Sequence, residues 1–105
     1  MDILQFEKRA LKIRKKYKEL EIKKYGKEWT KEQLVSGFKK DVSDLFDLIQ
    51  TDAVDNKLMS HELSDCFWSV LILAKEYNID IQHAFIETMN GLEAKIDAEL
   101  HVDRK

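Results

Sequence analysis

Two pairs of acids stand where oily side chains are expected. In one segment Leu34, Phe38, position 41, Leu45 and Leu48 step by four, three, four and three, the spacing of one helix face. Position 41 is Asp41, and Asp44 follows three residues on, beside it on the same face. A second segment runs Leu58, position 62, position 65, Ser69 and Ile72, and its two interruptions are Glu62 and Asp65. A buried, unpaired carboxylate costs several kcal/mol, and converging carboxylates also repel one another. A divalent cation between two helices removes both penalties. Four oxygen-only ligands suit Mg²⁺, with Mn²⁺ as a second choice, rather than zinc, which prefers His and Cys. The competing account places the acids at the open end of a bundle, or against Lys and Arg of the first helix. A di-iron site would need Glu-x-x-His on each of two helices, and His61 beside Glu62 does not have that spacing.

Four helices are expected to carry these residues. The first spans about Asp2 to Tyr25, with Ile3, Phe6, Ala10, Ile13, Tyr17 and Leu20 on one face and Gly26 as its stop. Thr30 and Gln33 form a capping box for the second helix, about Lys31 to Gln50. Residues 51–56 form a polar turn, and the third helix runs from Val54 or Asp55 to Tyr77. Asn78 ends it and Asp80 caps the fourth, which is expected to bury Ile81, Phe85, Thr88, Leu92 and Ile96. The tail from about His101 is expected to fray. Short connections predict an all-α, antiparallel four-helix bundle, a single domain over residues 1–105.

Composition agrees. With no proline and three glycines the chain lacks the turn residues of a sheet protein. At 44% hydrophobic it is too apolar for a disordered chain. Its longest apolar run, Val70 to Ala74, is far short of a membrane span. The first residues mix charge with apolar side chains, unlike a secretory signal, and the lone Cys66 permits no internal disulfide. A cytoplasmic protein with no membrane partner is the expectation. Residues 1–40 carry 13 Lys and Arg against 6 acids, and residues 41–105 carry 5 against 14. The basic half reads as a solvated helix face rather than a nucleic-acid surface.

The stretches GFKKDVSDLFDLI (37–49) and HELSDCFWSVLILAKEYNIDIQHAF (61–85) resemble the MazG-like all-α nucleoside triphosphate pyrophosphohydrolases. That family carries E-E-x-x-E on one helix and E-x-x-D on the next. The resemblance covers about Trp29 to Ile96. It implies a Mg²⁺-dependent hydrolase that cuts a nucleoside or deoxynucleoside triphosphate to the monophosphate and pyrophosphate, in nucleotide-pool sanitation. It places catalysis and metal binding on Asp41, Asp44, Glu62 and Asp65, and implies a homodimer or homotetramer.

Lys40 stands where the family has its first Glu, and both other Glu positions are shortened to Asp. Two readings follow. Either Lys40 contacts a substrate phosphate beside a weaker metal site, or the chain is a catalytically impaired nucleotide- or metal-binding regulatory protein on the same scaffold. Asn90 and Lys95 fall where the family carries substrate-binding residues. Trp68 is expected to pack against another helix or subunit, or to line a base pocket. Trp29 is expected as a hydrophobic staple, or as a stacking partner for a base. Cys66 is expected in the core, and His61 and His83 at the surface or as caps. The third helix is apolar on several faces, through Leu63, Phe67, Val70, Leu71 and Ala74, which independently predicts association.

Overall fold

The computed structural model describes residues 2–51 and 54–102. Among them are four helices and no strand: α1 (Ile3–Tyr25), α2 (Lys31–Ile49), α3 (Asn56–Glu76) and α4 (Ile81–Leu100). The expected turn at 51–56 and the expected fraying tail fall partly outside the described residues.

Local chemistry sets each boundary. Asp2 caps α1 in a box with Gln5, and Gly26 ends it at φ 80°, a left-handed conformation that glycine adopts without a Cβ clash. Thr30 and Gln33 form the expected box at the start of α2. Asp55 accepts from the Lys57 and Leu58 amides at the start of α3. The end of α3 is a Schellman turn. Asn78 sits at φ 54°, its amide donates to the Lys75 carbonyl at 3.1 Å, and the Ile79 amide donates to the Ala74 carbonyl at 2.8 Å. Two residues later Asp80 caps α4.

α3 is the shared element. It packs along α2 and is crossed by α1. The α2–α3 pair is antiparallel: Lys31, the first residue of α2, places its ammonium 5.2 Å from the ring centre of Tyr77, just past the end of α3. The expected α2 seam of Leu34, Phe38, Asp41, Leu45 and Leu48 is half-buried throughout. On α3 the seam holds from Glu62 to Ile72, while Leu58 is exposed. The core is small: Ala10, Leu71 and Ile72, with Ile3, Leu11, Leu34, Trp68 and Ile81 against them.

Two expectations are corrected. α1 is helical as predicted, but its buried face is rotated toward Ala10, Arg14 and Glu21, leaving Phe6, Tyr17 and Leu20 exposed. The face turned inward carries an ion pair between Arg14 and Glu21. α4 does not join the bundle. Its first turn touches the core through Ile81, but every residue from Phe85 to Leu100 is exposed. Phe85, Thr88, Leu92 and Ile96 are therefore not buried within the chain. The reason is the Schellman turn, which directs α4 away and stretches the molecule to 67 Å.

Gly26→Ala should destabilise the chain by about 1 kcal/mol, because alanine carries a Cβ into a left-handed conformation. Urea denaturation followed by far-ultraviolet circular dichroism measures it.

Candidate metal centre and adjoining cavity

The α2–α3 pairing sets both acid pairs along one interface, but among the described residues only His61, Glu62 and Asp65, all on α3, bring ligand atoms within 4.8 Å of one another, and Asp41 and Asp44 are not in that group. Cys66, half-buried on α3, reports the charge of that interface: burial pushes its thiol pKa up, and the charges of Asp41, Asp65, Glu62 and Asp44 push it further the same way. Cys66 is thus partly buried and within the field of these carboxylates. Lys40 reports the same field. Its pKa is raised by its hydrogen bond to Asp44, then by the charges of Asp44, Asp41 and Glu62.

Asp41, Asp44 and Asp65 each have a definite neighbour. The Ser69 hydroxyl donates to Asp41 Oδ2 at 2.8 Å, across the α2–α3 interface. Lys40 Nζ donates to Asp44 Oδ2 at 2.9 Å in an exposed i,i+4 pair. His61 Nε2 lies 3.1 Å from Asp65 Oδ2, one turn away on α3. Ligand atoms of His61, Glu62 and Asp65 lie within 4.8 Å of one another, close enough to share one ion. All four acids are half-buried, not splayed into bulk solvent. The gathered group is two carboxylates and an imidazole, not an oxygen-only set, so it accepts a divalent cation without favouring Mg²⁺. His61 adds a nitrogen ligand that the acid spacing alone does not reveal. The signal was present as its i,i+4 relation to Asp65.

A cavity of about 300 Å³ adjoins the acids. Lys40, Asp41 and Ser69 form one part of its wall, and Tyr17, Trp29 and Trp68 supply its aromatic lining. That volume is at the lower end of small-ligand pockets, and an apolar slot beside a few polar groups is their usual make-up. Trp68 packs against another helix, as one of its two expectations had it. Its ring packs 5.7 Å from that of Tyr17 and its Nε1 donates to the Ala10 carbonyl at 3.3 Å, yet it also faces the cavity. Trp29 is a cavity wall held by its backbone. Its ring lies over Gly37, where a Cβ would sit 3.6 Å from the ring edge.

The residue that holds Trp29 is Glu21, and sequence reasoning missed it. Glu21 Oε1 accepts the Trp29 backbone N–H at 2.8 Å. The same carboxylate takes both Arg14 terminal nitrogens, at 2.6 and 3.1 Å. Arg14 is 5% exposed and Glu21 6%. Burial pushes the Glu21 carboxyl up. The hydrogen bonds from Arg14 and the Trp29 amide, with the charges of Arg14 and Lys18, outweigh this and hold it below the usual carboxylate range. Two turns separate the partners, a spacing that reads as ordinary surface charge in a basic helix. Asn90 and Lys95 are exposed on α4, and the fold does not gather them with the acids.

No protein-family model, curated protein or solved structure matches this chain.

Glu21→Gln should cost about 3 kcal/mol at neutral pH, because Arg14 is left buried without its counter-charge. The wild-type pair should also confer a pH dependence. A carboxyl whose folded pKa is depressed contributes stability above its unfolded pKa and loses it as pH falls toward the folded value. The urea midpoint of the wild type should therefore fall more steeply on acidification below the ordinary carboxylate range than that of Glu21→Gln.

Proposed function

We propose that the chain is a divalent-cation-dependent nucleoside triphosphate pyrophosphohydrolase on a MazG-like helical scaffold. One observation carries the reading. Two half-buried acid-x-x-acid pairs face the contact of adjacent antiparallel helices, with His61, Glu62 and Asp65 close enough to share one ion and Asp41 lining an aromatic-walled cavity of about 300 Å³.

The division of labour follows from the residues. Asp41, Asp44, Glu62 and Asp65 hold the cation, Mg²⁺ or Mn²⁺, with His61 as a further ligand. Bound there, the cation neutralises triphosphate charge and supplies an acidified water for attack on phosphorus. Ser69 orients Asp41 by donating to one oxygen and leaving the other for the ion. Tyr17, Trp29 and Trp68 take the base by stacking, and Lys40, exposed and lining the cavity, meets a phosphate. Asn90 and Lys95, the remaining residues implied by the family resemblance, are exposed on α4. Reaching a nucleotide from there is a task for an assembled oligomer. The cytoplasm, where nucleotide pools lie, is the compartment that goes with this activity, and no helix among the described residues is long and apolar enough to cross a membrane.

A second reading is favoured by one contact. Lys40 pairs with Asp44, so an ammonium competes with the cation for one of its ligands. On that reading the chain binds metal and nucleotide without turnover. Purified protein incubated with Mg²⁺ or Mn²⁺ and a panel of ribo-, deoxy- and modified nucleoside triphosphates should release pyrophosphate, with activity falling to background in Glu62→Ala and Asp65→Ala. A folded protein that binds nucleotide, releases nothing across the panel and gains activity on Lys40→Glu would establish the second reading. Absence of both turnover and binding would overturn the two together.

A further inference from the structure

One side of α1 carries charge that the rest of the chain does not answer. At 3.6 residues per turn, Lys8, Arg9, Lys12, Lys15, Lys16 and Lys23 fall within one arc of about 120°. That arc lies opposite the buried Ala10, Arg14 and Glu21. All six cations are exposed, and among the described residues none of them forms an ion pair. Glu19 is the single acid of α1 on the arc. Along the chain these cations are interleaved with acids and apolar residues, which is why the sequence reads as a solvated face. The fold sorts them. Arg14, the basic residue of α1 that finds a partner, is turned inward, and the six are gathered outward.

An apolar groove runs beside the arc. It lies between α1 and α3 and has a volume of about 390 Å³. The buried Ala10 and Leu71 are at its base, and Phe6, Ile13 and Phe67 form its sides. Arg9 belongs to both features, since it ends the arc and lines the groove. Phe6 and Phe67 meet edge to face with ring centres 6.0 Å apart, and they are 41% and 43% exposed. An edge-to-face pair leaves ring faces free for a further partner.

These two features together choose the occupant. Cations spread from Lys8 to Lys23 cover about 22 Å of helix, a match for a repeating anion rather than a single phosphate. Exposed rings beside them call for planar groups. Single-stranded nucleic acid has both, a phosphate backbone and unstacked bases, and proteins that hold it combine a basic track with aromatic platforms. A duplex keeps its bases stacked on one another and leaves the rings unused. An anionic bilayer takes an apolar helix face into its interior, whereas the face of α1 directed outward is the charged one. The groove also uses Ser64, Phe67 and Leu71, the side of α3 away from Glu62, Asp65 and Ser69, so a strand lying there stays clear of the acids.

We propose that single-stranded nucleic acid lies along α1, with its phosphates on the six-cation arc and its bases turned into the α1–α3 groove against Phe6 and Phe67. Arg9 holds the strand where backbone gives way to base. Nothing in this depends on the catalytic reading.

Fluorescence anisotropy tests it, with a labelled oligothymidylate of about 20 nucleotides, longer than a typical single-domain site. EDTA in the buffer keeps divalent cations from the acids, so the result is independent of turnover. Binding should weaken as KCl rises, and log affinity should fall against log salt with a slope of about −4 when all six cations are engaged. The triple variant Lys12→Gln, Lys15→Gln, Lys16→Gln, made at exposed sites, should keep its helical circular dichroism and make that slope shallower by about 2. Phe67→Ala should weaken binding roughly tenfold and leave the slope in place. A duplex of the same length should bind less tightly than the single strand. Equal affinity for duplex and single strand, or a folded Phe67→Ala that binds as the wild type does, would overturn the placement of bases in the groove. Binding that ignores salt, or a protein that passes over the oligonucleotide and sediments with phosphatidylserine vesicles, would overturn the proposal as a whole.

Discussion

Pairing α2 with α3 is the constraint on which the rest of this molecule depends. Each helix places an acid pair in its packing seam, so antiparallel contact cannot form without bringing like charges together. An apolar seam would have packed and stayed inert. This one carries negative charge, met here by Ser69, Lys40 and His61. Those contacts are a hydroxyl, one exposed ammonium and one exposed imidazole, a modest answer to four carboxylates. A divalent cation bound beside them would be a stronger answer.

The second organising contact is the Arg14–Glu21 pair. A buried ion pair rarely adds much stability over an apolar replacement, but removing one partner is expensive. Its consequence here is geometric. By accepting the Trp29 amide, Glu21 fastens the α1–α2 connection across the mouth of the aromatic cavity. With this polar side of α1 turned inward, Phe6 and Ile13 line an open groove. One contact thus bears on both the cavity beside the acids and the groove along α1. The cost is a meagre core, with no large side chain fully buried among the described residues, and a single chain of this build is marginal.

Much of this architecture was legible from residue types. Gly26, the Thr30–Gln33 box, Asn78 and Asp80 mark helix ends because each acts through its own backbone neighbourhood, within four residues. The α2 seam was legible for a similar reason, since a single helix face is a local pattern. The acids at 41, 44, 62 and 65 stood out because they break such a pattern. Arg14 and Glu21 did not, since in a helix with nine basic residues a charged pair two turns apart looks like solvated surface. Phe85, Leu92 and Ile96 misled in the opposite sense, as an apolar stripe states that a helix must be covered and not by which chain.

What the residues alone determined is therefore short-range: where each helix starts and stops, which face is oily, and that two faces carry acids where oil belongs. Tertiary structure decided how α1 is rotated, that Trp29 and Trp68 wall a cavity beside Asp41, and that α4 leaves the bundle. The physical reason is range. Caps and periodicity are satisfied within a few residues, whereas burying a charge, closing a cavity or covering a helix depends on groups far apart in the chain, whose meeting is settled only when the helices pack.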